Sequence, residues 1–118
     1  MEQFYYEDTA VVENADADCH SLLKASALLR YVEQVTAVHA RKFGMDDQFF
    51  EDHGVAFLVG KQALRFNRVP LRGETLTLCS RSEKILRGSI KRITTLTDEA
   101  GQEVAMVDSR WIMSSLED

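Results

Sequence analysis

Two acids and a histidine alternate near the start of the chain, in the segment Asp16-Ala-Asp18-Cys19-His20. In an extended segment, side chains spaced by two residues leave the backbone on the same side. The pattern therefore predicts two carboxylates and an imidazole in one cluster. A carboxylate can activate a water molecule or attack a carbonyl directly. The alternative interpretation is a surface loop whose acids are solvated and whose histidine leads into a helix.

A helix is predicted directly downstream, with Ser26 as its N-cap and Gly44 as its C-terminal stop. Its apolar stripe repeats at three and four residues: Leu28, Leu29, Val32, Val35, Thr36, His39, Ala40 and Phe43. Free backbone N–H groups near Ala27 and Leu28 would lie beside the acidic cluster and suit a developing oxyanion. A general base next to an oxyanion-binding site is the smallest set of groups that can catalyse attack on an ester or thioester carbonyl.

Within this hypothesis Asp16 is the base or nucleophile, and Asp18 or His20 positions the water or the thioester. Cys19 is next to His20, but adjacent residues of a strand point to opposite faces, which opposes a Cys–His dyad.

Two helical residues are further candidates. Glu33 lies at the edge of the apolar stripe, where it is either a catalytic carboxylate or a surface ion-pair partner of Arg30 or Arg41. His39 lies near the centre of the stripe, which is typical of a core histidine with a satisfied hydrogen bond, and substrate binding is the alternative.

Strand periodicity dominates the rest of the chain. The sequence predicts strands at Phe4–Glu13, Val55 to about Arg68, Thr75–Cys79, Ser89–Thr97 and Val104–Ser114, a loop at Met45–His53, and turns at Pro70–Gly73, Lys84–Gly88 and Asp98–Gly101. One long central helix wrapped by a curved antiparallel sheet of about five strands is an α+β architecture. A chain of 118 residues predicts a single domain over 1–118.

Composition excludes several classes of protein. No apolar run approaches the ~20 residues of a membrane span, and the acidic N-terminus does not resemble a signal peptide. Two cysteines are too few for a disulfide scaffold and indicate a reducing cytoplasm. No metal-binding or phosphate-cradling motif is present, so neither a metal site nor a nucleotide fold is predicted.

The charge is unevenly distributed. The net charge is −5, which argues against nucleic acid as a partner, yet it divides into −7 over residues 1–60, +7 over 61–92 and −5 over 93–118. The cationic middle third could steer a phosphate-bearing or acidic partner, or it could simply be the solvated faces of exposed strands.

Three stretches, in this order and spacing, resemble one hotdog domain of the acyl-ACP thioesterase family. They are the helix Leu28–Gly44 with a late His39, the turn Arg68–Glu74, and the final hairpin from Asp98 to Met113. The resemblance implies a hotdog fold and hydrolysis of acyl thioesters carried by acyl carrier protein (ACP) or CoA, with no metal or cofactor. It also implies a homodimer or a dimer of dimers.

The resemblance also bears on the site. Asp16-x-Asp18-x-His20 is similar to an Asp-x-Asn-x-His motif of the plant enzymes, with Asp in place of Asn, although that motif precedes the helix of their second hotdog domain. Many single-domain hotdog thioesterases also have an Asp that falls on Asp16.

Residues outside this motif have expected roles as well. Arg65, Arg68 and Arg72 flank the Pro70 turn and are expected to meet the phosphates of CoA or the acidic helix of ACP. Trp111 and Phe57 are expected in the core or along an acyl tunnel.

Three other functions are compatible with these residues. A hotdog dehydratase or hydratase also acts on acyl thioesters with acid and histidine side chains, but releases no thiol. A non-catalytic domain would bind the acyl thioester without changing it. A structural homo-oligomer would retain the fold with a decayed site.

Overall fold

The computed structural model describes residues 5–42, 48, 51–52, 54–86 and 89–115. In chain order the elements are strand β1 (Tyr5–Val11), a 3₁₀ turn (Asn14–Asp16), helix α1 (Ala25–Lys42), and strands β2 (Val55–Phe66), β3 (Thr75–Leu86), β4 (Ser89–Thr97) and β5 (Glu103–Ser115). The strands form one antiparallel sheet in the order β1-β3-β4-β5-β2. The α+β arrangement of one long helix and five strands is confirmed.

Helix α1 begins one residue before the predicted N-cap. The Lys24 carbonyl accepts the first helical hydrogen bond from the Leu28 N–H at 3.0 Å, and the Lys24 N–H donates to the Asp16 carbonyl at 2.9 Å. Ser26 therefore lies inside the first turn, and its prediction as N-cap is wrong. Gly44, the predicted stop, lies outside the described residues.

The segment between β1 and α1 is not extended as predicted. Residues Asn14–Asp16 form the 3₁₀ turn, and residues 18–22 form a second turn in which the Asp18 N–H donates to the Leu22 carbonyl at 2.8 Å. Ser21 has a φ of 64° within that turn, a left-handed conformation that non-glycine residues adopt rarely. Side chains two residues apart therefore do not share one side here.

Two other predicted element boundaries also differ from the structure. β3 continues to Leu86, through the predicted turn at Lys84–Gly88, because it pairs with β4 up to Leu86–Ser89 after an irregularity between Ser82 and Lys84. The expected loop at 45–53 contains described residues 48, 51 and 52 that are helical, with the Gln48 amide donating to the Asp52 carboxylate at 2.8 Å. The hairpin at Asp98–Gly101 is confirmed, and Gly101 takes a φ of 82° there.

The core lies between α1 and the inner face of the sheet. Its members are Val12, Leu23, Ala27, Leu28, Tyr31, Val32, Val35, Leu76, Leu78, Leu96, Val104, Ala105 and Val107. The buried residues of α1 recur at three and four residues, as predicted, so one face of the helix is covered by the sheet.

The core changes from apolar to polar along the helix. Directly paired residues of an antiparallel sheet share one face, so the register defines rows across β3, β4 and β5. One row is Leu78, Leu96 and Ala105; the next is Ser80, Thr94 and Val107; the third is Ser82, Arg92 and Ser109. On the helix, Leu28 and Val32 are followed by buried Thr36 and His39. The C-terminal half of α1 therefore covers a polar part of the core.

β2 is an edge strand with a bulge. The register of its pairing with β5 shifts between Val59 and Lys61, which places Gly60 at the irregularity. A Cβ atom at Gly60 would lie 2.3 Å from Cδ1 of Ile112, so a side chain fits there only if the Ile112 side chain moves.

Candidate active site

Asp16 is a buried carboxylate held against the first turns of α1. The hydroxyl of Tyr31 donates to Asp16 Oδ2 at 2.5 Å, and the guanidinium of Arg30 forms a short hydrogen bond and ion pair with Oδ1. Asp16 is 7% exposed and Tyr31 is also 7% exposed, whereas Arg30 is exposed. The carboxylate thus links the segment before the helix to the helix itself.

These contacts set the protonation states of Asp16 and Tyr31. The hydrogen bond from Tyr31, followed by the one from Arg30, holds the pKa of Asp16 below its usual value. Burial, together with the hydrogen bond to Asp16, raises the pKa of Tyr31 to about 12. At neutral pH, therefore, Asp16 is an anion and Tyr31 is a neutral hydrogen-bond donor.

Asp18 and His20 lie in the adjacent turn, and both are exposed. Asp18 Oδ1 accepts hydrogen bonds from the backbone N–H groups of His20 at 2.8 Å and Leu22 at 3.0 Å. Those two bonds, that from Leu22 first, lower the pKa of Asp18. The Asp18 side chain shapes the turn that presents His20, instead of facing the same side as Asp16.

The turn around Pro70 packs beside this segment. The Arg72 N–H donates to the Ser21 carbonyl and the Leu23 N–H donates to the Pro70 carbonyl, each at 2.8 Å, and Leu22 forms an isolated bridge with Leu71. The structure therefore brings Arg72, which is exposed, next to the turn that carries Asp18 and His20.

Arg68 lies in the same loop but is already paired. Its guanidinium donates to both carboxylate oxygens of Glu74, at 2.8 and 2.6 Å, and to Asp98 at 3.0 Å. These partners raise the pKa of Arg68. Arg65 on β2 is 62% exposed, with Glu103 at 3.4 Å. Of the three predicted arginines, Arg68 has the most fully compensated charge.

Glu33 is exposed on α1, one turn beyond Arg30. Within the described part of the chain it forms no ion pair, so the predicted pairing with Arg30 or Arg41 is wrong. Of the two predicted oxyanion donors, the Leu28 N–H is used by the helix itself. The free donors of the first turn begin with the Ala25 N–H and extend to Ala27.

His39 lies at the other end of α1, away from Asp16. It is 2% exposed, stacks on Tyr6 with ring centroids 5.8 Å apart, and lies 2.6 Å from Nη1 of Arg92 through its Nδ1. A guanidinium can only donate, so Nδ1 accepts.

Trp111 is half-buried and its indole N–H donates to the Ser109 hydroxyl at 3.3 Å. The side chain of Phe57 lies outside the described residues.

Two groups of basic residues were not singled out from the sequence. Arg92 is buried, although a charged residue in a strand was expected to be solvated. On the outer face, the register aligns Lys61 with Arg110 and Arg110 with Lys91. We call this cross-strand row of Lys61, Arg110 and Lys91 the basic outer face; Asp108 lies beside it, 3.9 Å from Lys91. Strand parity, which places Lys91 and Arg92 on opposite faces of β4, was the signal that could have separated them.

Two kinds of feature are absent from the described residues. No group of three His, Cys, Asp or Glu is placed to hold a metal ion there. No helix of that part has the length and apolar character needed to cross a membrane.

The whole chain resembles known thioesterases in sequence pattern and in fold. The family model of the acyl-ACP thioesterase N-terminal domain matches residues 3–118. A search of curated proteins finds no match. Among solved structures, an acyl-ACP thioesterase from Bacteroides thetaiotaomicron superposes with a TM-score of 0.92 at 18% identity, covering 98% of this chain and 48% of that one.

Two structures from Staphylococcus aureus are also similar. A DHNA-CoA thioesterase has a TM-score of 0.85 at 14% identity, over 96% of this chain and 76% of that one. A protein solved in complex with CoA has a TM-score of 0.89 at 12% identity, over 95% of this chain and 71% of that one. At these identities the likeness establishes the hotdog fold, which confirms the predicted architecture. The chain spans less than half the length of the Bacteroides enzyme.

Proposed function

Because the chain belongs to the acyl-ACP thioesterase N-terminal domain family, we propose that it hydrolyses acyl thioesters of ACP or CoA. Water oxygen bonds to the carbonyl carbon, the carbon–sulfur bond breaks, and the products are the free acid and the pantetheine thiol. The family match over nearly the full chain is the observation that carries this proposal. The hotdog fold shared with enzymes named as thioesterases supports it.

Asp16 is the proposed carboxylate of the site. It is ionised at neutral pH and is fixed at the start of α1 by Tyr31 and Arg30, so it can take up the proton of an attacking water. The N–H groups of residues 25–27 point from the same helix start, where the positive end of the helix dipole stabilises an oxyanion. His20, in the neighbouring turn, is proposed to position the thioester, while Asp18 holds that turn in shape.

Glu33 is proposed as a second carboxylate of the same site. Both Glu33 and His20 are exposed in the single chain, so both are accessible to a substrate. We propose a homodimer joined through β2, since this 12-residue strand lies at the sheet edge and an open edge can pair with another strand.

The test of the proposed function is thiol release from acyl-CoA and acyl-ACP substrates of varied chain length. We expect release from at least one substrate, and light scattering of the same sample should give about twice the chain mass of 13.4 kDa. Addition of water to an enoyl thioester without thiol release would indicate the dehydratase alternative. Thermal stabilisation by an uncleaved acyl-CoA would indicate a binding domain.

Arg72 is proposed to contact the carrier of the acyl group. It is exposed beside the turn that holds His20, and a charge-assisted hydrogen bond to a phosphate or carboxylate is worth ~1.5–3 kcal/mol. We therefore expect Arg72→Glu to raise the KM for acyl-ACP or acyl-CoA by about tenfold or more, and to leave an acyl-pantetheine substrate unaffected.

Arg41→Glu is the matched control, because Arg41 is an exposed arginine near the far end of α1. An unchanged KM in Arg72→Glu, or an equal rise in Arg41→Glu, would show that the carrier is recognised elsewhere. Arg65 and the basic outer face are then the next candidates.

A further inference from the structure

A cation is buried at the end of the core away from Asp16. Arg92 is 5% exposed, and its Nη1 donates to His39 Nδ1 at 2.6 Å and to the Ser80 hydroxyl at 2.9 Å. Both acceptors are uncharged. No carboxylate pairs with Arg92 among the residues that the structure describes.

This arrangement is costly in free energy. Burial lowers the pKa of Arg92 to about 10, so the guanidinium is still protonated at neutral pH. A charge taken out of water without an opposite charge is among the most unfavourable groups in a folded protein. A buried cation with only neutral partners therefore indicates an anion that the described part of the chain does not supply.

Three buried polar atoms in this part of the core have no hydrogen-bond partner among the described residues. They are Nε of Arg92 and the hydroxyls of Thr36 and Thr94. Thr94 is two residues from Arg92 on the same face of β4, and Thr36 lies one turn before His39 on the buried face of α1. We call Thr36, His39, Ser80, Arg92 and Thr94 the polar core cluster.

The chemistry of these atoms selects one kind of ligand. With Nη1 occupied, the guanidinium edge formed by Nε and Nη2 offers parallel N–H donors, which match the two oxygens of a carboxylate. The two threonine hydroxyls can donate to the same group. An unsubstituted alkyl chain would leave all of these groups without partners.

We propose that the polar core cluster recognises a carboxylate at the far end of the acyl group, so that the preferred substrates are half-thioesters of dicarboxylic acids. This inference rests on the proposed function. The helical rise of ~1.5 Å per residue separates the levels of Tyr31 and His39 by about 12 Å. An extended chain advances ~1.2 Å per bond, so an acyl group of about ten carbons has the length of this separation.

The test uses uncleavable thioether analogues of CoA, in which the sulfur bears either a plain alkyl chain or a chain of equal length that ends in a carboxylate. For the wild-type protein we expect the carboxylated analogue to bind at least tenfold more tightly, which is about 1.4 kcal/mol, and to raise the Tm further. In Arg92→Met this preference disappears, while in Arg41→Met, an exposed matched control, it remains.

Arg92→Met is expected to fold, because it replaces an unpaired buried cation with an apolar side chain. Thr94→Val removes only a buried hydroxyl and provides a second variant, in which the preference falls severalfold. Equal binding of the two analogues by the wild type, or a preference that survives in Arg92→Met, would overturn the inference and leave the proposed function intact. If neither analogue binds and no thiol is released from any acyl thioester, both fail.

Discussion

Asp16→Asn is expected to lower the rate of thiol release by about 10²- to 10⁴-fold, the usual contribution of a positioned general base. The amide cannot take up the proton of the attacking water, yet it nearly preserves the volume of the buried side chain. The loss should appear in kcat when the rate is measured with a saturating acyl thioester. Thermal unfolding of the same sample measures any change in stability.

Tyr31→Phe separates catalysis from structure. It removes the hydrogen bond to Asp16 Oδ2 and keeps the carboxylate, so activity should persist. Since that bond is the largest cause of the low pKa of Asp16, the pKa rises in this variant. The rate, which depends on the ionised carboxylate, should then begin to fall at a higher pH on acidification than in the wild type.

The low pKa of Asp16 also affects the stability of the folded protein. A carboxyl group whose pKa is lower in the folded protein than in the unfolded chain stabilises the fold above its unfolded pKa, and this contribution is lost as the pH falls through its folded pKa. If Asp16 only links the 3₁₀ turn to α1, then Asp16→Asn and Tyr31→Phe should both lower the Tm at neutral pH and leave kcat unchanged. That result would remove Asp16 from the catalytic assignment.

Leu28→Ala is expected to cost about 2–5 kcal/mol in the free energy of unfolding. Leu28 is 0% exposed within the core, and truncation leaves a cavity that the packed sheet can fill only in part. A domain of ordinary stability has about 5–15 kcal/mol in total, so this single change could remove a large share of it. Urea denaturation, with an unchanged slope, measures the difference.

Leu29→Ala is the matched control on the next position of α1. Leu29 is only partly buried against the core, so its truncation should cost clearly less than that of Leu28. Equal losses in the two variants would mean that α1 packs against the sheet in a different rotation from the one described.

The helix and the strands were predictable because hydrophobic periodicity records which face of an element is covered. The stripe of Leu28, Val32, Val35 and His39 has the helical period, and all four residues are buried. Ser89–Thr97, rich in β-branched residues, is a strand whose predicted bounds agree with the structure. Patterns of this kind are repeated over many residues, so a few exceptions do not hide them.

The geometry around Asp16 was not predictable from periodicity. It depends on individual polar contacts: the Asp18 side chain accepting two backbone N–H groups, the left-handed Ser21, and the pairing of Asp16 with Tyr31 and Arg30. The last of these joins residues 14 and 15 positions apart. The sequence identified the residue types, but not which side chains would already be paired.

The arginines show the same limit. Arg68 was expected to be available to a ligand, but Asp98, 30 residues further along the chain, lies beside it in the fold. Arg92 is buried on the inner face of β4 together with Thr94 and Leu96, which share its parity, although Ile93 on the opposite face is buried as well. Its charge suggested a solvated position, whereas its parity with Leu96 indicated the face that α1 covers.

The bulge at Gly60 also affects how the edge of the sheet can pair with other chains. A regular edge strand invites any extended chain to add to it, whereas a bulge and charged side chains such as Lys61 and Arg65 disturb the row of backbone donors and acceptors. The Ile112 side chain occupies the space where a Cβ atom of residue 60 would lie. A strand that complements the bulge can still pair with β2, while most unrelated segments cannot do so in register. The open edge of this sheet is therefore a poorer template for unrelated extended chains than a regular strand would be.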